Sequence, residues 1–117
     1  MEITVKQIEQ FEVIPEIFKG EDKPPVFLFR TPNTIDITNF TFAGHSVHDL
    51  LFACSTGFKN KPVLKDEKGK EIKYTTYKEL MQIGNCDALT EIHADCAIAM
   101  TKKIKEEKDK ATETEKK

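Results

Sequence analysis

Leu89, Ile92, Cys96, Met100 and Ile104 recur at intervals of three and four residues. That spacing predicts a long amphipathic helix starting near Asn85 or Asp87, with one apolar stripe to be covered. A helix of this kind buries its stripe in its own domain by default, so the earlier part of the chain has to supply the cover. Residues 102–117, "KKIKEEKDKATETEKK", hold Ile104 as their single large apolar residue. Lys102, Lys103 and Lys105 are expected near the C-terminal end of the helix dipole. Residues 106–117 are expected to form a charged, disordered tail. The remainder, residues 1–105, is enough chain for one domain and one core.

Short elements precede the helix. At the start, Ile3 and Val5 alternate like a strand, whereas Val5, Ile8 and Phe11 are spaced like a helix. "FEVIPE" reads as extended, because Pro15 turns Ile14 away from helix. "KGEDKPP" is a polar loop. "VFLFR" is a strand, with Val26 and Leu28 on one face and Phe27 and Phe29 on the other; both faces are apolar, so cover on both sides is expected. In "TIDITNFTF", Ile35 and Ile37 alternate and predict a strand, with a bulge or turn near Asn39. Ser46 and Asp49 give an N-cap signal, and Val47, Leu50, Leu51, Cys54 and Phe58 follow at helical spacing, with Gly57 as the stop. "KPVLKDEKGKEIKY" reads as a hairpin whose turn uses Gly69. Thr76 and Glu79 form a capping box for a short helix through Tyr77, Leu80, Met81 and Ile83, ending at Gly84.

Strands first and helices after, with one hairpin among them, give an α+β fold: short N-terminal strands and a hairpin packed with about three helices, the last of them long. A formal net charge of −2 with both signs interleaved lacks the basic stripe of a nucleic-acid binder. No stretch approaches the roughly 18 apolar residues of a membrane span. "MEITVKQIEQ" carries Glu2 and Glu9 and no apolar core of a signal peptide, so no leader is expected. Cys54, Cys86 and Cys96, an odd number with no close pair, suit reduced thiols in a cytoplasm. The sequon "NFT" at Asn39 is accordingly accidental.

Few residues offer chemistry. His45 and His48 are three apart, as are His93 and Cys96, so these four could contribute to a metal site, with Cys54 and Cys86 in reserve. Cys54 and Cys96 fall on apolar stripes, however, and no C-x-x-C or H-x-x-x-H is present; buried cysteines acting as small hydrophobes are the simpler account. Cys86, near a helix N-terminus, is the best thiolate candidate should a cysteine–histidine pair exist. Asp66 and Glu67, between Lys65 and Lys68, belong to a solvated hairpin tip. Gly69-Lys70 is followed by Glu71, so no phosphate loop is present. No catalytic residue, cofactor or metal is assigned.

Phenylalanine is more informative. All eight, Phe11, Phe18, Phe27, Phe29, Phe40, Phe42, Phe52 and Phe58, lie in the first half. A core of this size absorbs about five or six large aromatics. The surplus would form a patch for a protein partner, for which Phe27, Phe29, Phe40 and Phe42 are the preferred residues.

"VIPEIFKGEDKPPVFLFRTPNTIDI" resembles the opening of small tail-region proteins of long-tailed bacteriophages and prophages, in which a P-E segment leads through a polar loop to P-x-x-F-x-x-R-x-P. The middle is similar too, with "LLFACSTGFKN", the "DEKGK" turn, "YTTYKEL" and a long last helix. The resemblance covers roughly residues 11 to 105 and is to tail assembly chaperones in particular. It implies a non-enzymatic role in the host bacterial cytoplasm, with the tape-measure protein and the tail-tube subunit as partners. It also implies a helix where "TIDITNFTF" reads as strand. Ring-like homo-oligomers are compatible with it, and a longer frameshifted product would fit an A-rich run encoding "EKK". The alternatives are a structural tail or head–tail connector component of the virion and, from another class, a small metal- or thiol-dependent enzyme.

Overall fold

The structure, a computed structural model, describes the backbone of residues 1–115 and the side chains of residues 1–106. Its elements are β1 (Gln10–Val13), a 3-10 turn (Glu16–Phe18), β2 (Val26–Arg30), α1 (Thr34–Phe42), α2 (Val47–Cys54), β3 (Ser55–Lys59), the hairpin β4 (Leu64–Lys65) and β5 (Glu71–Ile72), α3 (Tyr77–Gln82) and α4 (Asp87–Glu115). This is the α+β fold expected, with the sheet region first and the long helix last. Among the described residues no helix is long and apolar enough to cross a membrane.

β2 is the middle strand of an antiparallel sheet in the order β1-β2-β3. Strand side chains alternate between faces, and the register pairs Phe11 with Phe29, and Val13 and Phe58 with Phe27. One face therefore carries Phe11, Val13, Phe27, Phe29 and Phe58, and this face meets the helices. Phe27 and Phe29 are 0% exposed. The other face is covered only in part. Leu28 there is half-buried, and an exposed Lys59–Glu12 ion pair (2.6 Å) lies on it. Val26 on this face is buried, but Leu28 is only half-buried, with charged Glu12 as its cross-strand neighbour.

The largest difference from the sequence lies at residues 34–42, which form helix α1, not a strand. The deciding signal is a capping box that the alternation of Ile35 and Ile37 hides. The Asn33 side chain accepts from the Asp36 N–H (2.8 Å), and the Asp36 carboxylate accepts from the Asn33 N–H (3.0 Å). Arg30 reinforces it, donating to Asp36 Oδ2 (2.7 Å) and to the carbonyls of Thr31 (3.3 Å) and Ala53 (3.2 Å). One guanidinium thus joins the end of β2, the start of α1 and the end of α2. Burial alone would push the Asp36 carboxyl up, but Arg30, the Asn33 N–H and the Cys54 thiol together hold it below its usual value.

α2 begins at the Ser46 cap, as expected, with Asp49 completing a capping box. It ends at Cys54, not at Gly57, and passes straight into β3. Gly57 lies inside that strand at φ +153°, beside a register shift opposite Leu28 and Phe29. The shift is a bulge, and glycine tolerates the backbone there. Phe58 consequently leaves the predicted helical stripe and joins the sheet face.

Gly69 provides the positive φ (+81°) of the β4–β5 turn, and Asp66 Oδ1 accepts from the N–H groups of Lys68 and Lys70 (both 2.9 Å). Thr76 caps α3 by accepting from the Glu79 N–H (3.1 Å). The Glu79 carboxylate returns to Thr75, its N–H (3.1 Å) and hydroxyl (2.9 Å), one residue earlier than the predicted box requires. α4 buries the predicted stripe of Leu89, Ile92, Cys96, Met100 and Ile104. The helix runs on to Glu115, so Lys102, Lys103 and Lys105 lie within it and not in its last turn. The domain limit expected at residue 105 falls inside α4. Of the tail expected over residues 106–117, the backbone to Glu115 continues α4, and the side chains from residue 107 onward lie outside the described residues.

Phe27→Ala or Phe29→Ala is expected to cost about 3–5 kcal/mol of unfolding free energy in urea titrations. Phe42→Ala, at a side chain 83% exposed, is expected to stay within about 0.5 kcal/mol. Similar losses at all three positions would contradict the strand register described.

Candidate functional site

Two features stand out once the side chains are placed. The first is a polar chain that runs from the surface into the core. The second is an apolar helix face turned outward.

The polar chain starts at His48, exposed on the first turn of α2. His48 Nδ1 lies 2.6 Å from Nε2 of His93 on α4. The ring centres are 4.8 Å apart and the planes 15° from parallel, so the imidazoles meet edge to edge, with a nitrogen lone pair facing an N–H. His93 Nδ1 lies 2.7 Å from the Tyr77 hydroxyl, at the start of α3. The buried thiol of Cys96, one turn along α4 from His93, is electrostatically coupled to that hydroxyl. Burial, then the neighbouring His48, hold His93 below the usual imidazole range. Burial pushes Cys96 up to about 12 and raises Tyr77, Cys96 contributing to the latter. Burial therefore keeps Tyr77 and Cys96 protonated and His93 neutral at physiological pH.

Sequence reasoning named His48, His93 and Cys96 but paired them wrongly. His48 was paired with His45 and His93 with Cys96, because each pair is three apart. The contact that forms is His48 with His93, 45 residues apart in sequence. No local spacing could have signalled it, nor the role of Tyr77. His45 is exposed and no structural tie joins it to His93. Among the described residues, no three histidine, cysteine, aspartate or glutamate side chains converge as a metal site would need.

The thiols follow their burial. Cys54 and Cys96 are 0% exposed, and burial pushes Cys54 up to about 11. Cys54 sits 3.7 Å from Asp36 Oδ2. Cys86 is exposed, with its sulfur 3.4 Å from the Leu89 N–H in the first turn of α4. No hydrogen bond joins it to a histidine among the described residues.

The second feature corrects the predicted phenylalanine patch. Phe27 and Phe29 are core, and their rings meet Tyr77 edge to face, with centroids 5.9 and 5.2 Å away. Strand alternation puts them both on the helix-covered face, so they cannot line a surface. Phe40 is half-buried and packs against the core. Only Phe42 of the four is open to solvent, and it has a neighbour that sequence reasoning missed. Ile35 is 65% exposed and Phe42 83%. With exposed Thr38 between them, they occupy positions i, i+3 and i+7 of α1, which is one helix face. Ile37 and Phe40 hold the opposite face against the core. α1 is thus apolar on both sides and buries no residue completely.

Two thiol predictions follow from burial. An aromatic disulfide reagent at mildly alkaline pH is expected to modify only Cys86 in the folded protein, and all three cysteines in denaturant. Rapid reaction of Cys96 in the native state would contradict the polar chain. Tyr77→Phe is expected to cost about 1–3 kcal/mol in urea unfolding, because it leaves His93 Nδ1 without its partner while keeping the ring.

Comparison with protein-family models, with curated proteins and with solved structures finds no match for this chain.

Proposed function

We propose that this chain is a non-catalytic, protein-binding component of phage or prophage tail assembly. In this reading it acts in the host cytoplasm as a chaperone for the tape-measure protein and the tail-tube subunit. The observation that carries the protein-binding part is the outward face of α1. Large apolar side chains on a short helix are ordinarily covered, yet here Ile35 and Phe42 stand in water. The identity of the partners rests on the resemblance of residues 11 to 105 to tail assembly chaperones.

The physics of the face suits a helical partner. Anchors at i, i+3 and i+7 are how one helix presents itself to the apolar stripe of another. A tape-measure protein is a long helical chain whose apolar stripes need cover until the tail is built around it. A large exposed aromatic at the end of a short helix is the type of residue that dominates binding energy. Arg30 and the Asn33–Asp36 box fix the other end of α1, so the face is presented on a rigid support. Charge is plentiful elsewhere on the surface and would keep such a complex soluble.

Co-expression with the tape-measure protein of the same phage or prophage tests the reading. The long protein is expected to become soluble and to co-elute with this chain on size exclusion. Phe42→Asp is expected to leave the fold intact and weaken the complex by about 2 kcal/mol or more. An insoluble tape-measure protein in the presence of the wild-type chain would defeat the chaperone reading. Undiminished binding by Phe42→Asp would remove α1 as its surface.

A further inference from the structure

We propose that the His48–His93 contact is an acid-sensitive latch tying α2 to α4, which accepts one proton by reversing its hydrogen bonds and lets go at the second. The inference rests on which hydrogens each nitrogen and oxygen in the chain can carry. It concerns the protein alone and does not depend on the partner reading above.

With both imidazoles neutral, one arrangement satisfies every group. The Cys96 thiol donates to the Tyr77 oxygen, Tyr77 O–H donates to His93 Nδ1, and His93 Nε2–H donates to His48 Nδ1. His48 Nε2–H then faces water. When His48 takes up a proton, its Nδ1 becomes a donor. His93 must then accept at Nε2 and carry its own hydrogen on Nδ1, donating to the Tyr77 oxygen, and Tyr77 O–H turns to the Cys96 sulfur. Each hydroxyl or thiol hydrogen only rotates, and His93 changes tautomer. The chain is satisfied in both directions because tyrosine and cysteine each donate and accept.

A second proton has no such solution. Both facing nitrogens would carry hydrogen at a separation of 2.6 Å, with a positive charge on each ring. His48 is on the exposed side and leaves into water, while His93 keeps its bond to Tyr77. α2 then loses its polar tie to α4. Among the described residues, no carboxylate is hydrogen-bonded to either imidazole. On α2 the Asp49 carboxylate is held by the Ser46 N–H (2.9 Å), with His45 and His48 both within its electrostatic reach. On α3 the facing group is Tyr77. On α4 it is Cys96, and the Asp95 carboxylate accepts from the Glu16 N–H (2.9 Å). From the sheet, only Phe27 and Phe29 reach Tyr77.

The direction with pH follows from proton counting. The released state carries up to two protons and the latched one at most one, so the latch holds through its first protonation and opens as pH falls further, below the ordinary histidine value of about 6.5. Amide hydrogen exchange across α2, corrected for its intrinsic pH dependence, reads the opening. Between about pH 6.5 and about pH 5 the opening constant is expected to rise by up to about tenfold per pH unit. His48→Gln is the discriminating variant, because a glutamine amide can turn either its oxygen or its NH2 toward His93. It is expected to match the wild type at neutral pH and to flatten the acid slope. The same slope in both proteins, or none in the wild type, overturns the latch. Nitrogen-15 NMR of the histidines gives an independent reading in the unmodified chain. Two well-separated protonation steps, with His93 exchanging tautomers in the first, support it; two independent steps near the ordinary value overturn it.

Discussion

The ring of Tyr77 is the contact on which the rest of the architecture depends. It is 1% exposed and meets Phe27, Phe29 and Phe52 with its faces and edges, while its hydroxyl reaches His93 and Cys96. Those partners come from β2, α2 and α4, so a single side chain joins the sheet to all three helices of the core. α3 itself has six residues, too few to be stable alone, and stands because Tyr77 and Leu80 are buried. The Thr76 cap fixes where that helix begins and so places Tyr77 at its first position.

A second tie organises the opposite side. Arg30 leaves the uncovered face of β2 and bonds Asp36 and the Ala53 carbonyl. β2 therefore grips the helices from both faces, by aromatic packing on one and by one guanidinium on the other. The two ties have different consequences. The Tyr77 side is sealed, whereas the Arg30 side fixes only the start of α1 and leaves Ile35 and Phe42 in water. The rigid core and the open apolar face are thus products of the same strand.

Much of this fold was legible because its signals are local. The stripe from Leu89 to Ile104, the Ser46 and Thr76 caps and Gly69 in its turn each act within a few residues. α1 was misread because two isoleucines at period two outweighed an N-x-x-D box directly after Pro32, and the box is the stronger physical signal. The phenylalanine count underestimated the core, which takes seven of the eight in or against it and leaves Phe42 outside. Phe27 and Phe29 are fixed as core by their register with Phe11 and Phe58, and register is not written in spacing. The His48–His93–Tyr77 contact joins three separate helices and could be found only in three dimensions.

The functional account joins a firm core to the exposed apolar face of α1, and binding through α1 is its central claim. Hydrogen exchange of the full chain, alone and with the tape-measure protein, tests that claim most directly. The account predicts new protection over Thr34–Phe42, with the α4 stripe from Leu89 to Ile104 unchanged. Protection confined to another element, or none on mixing, would contradict it.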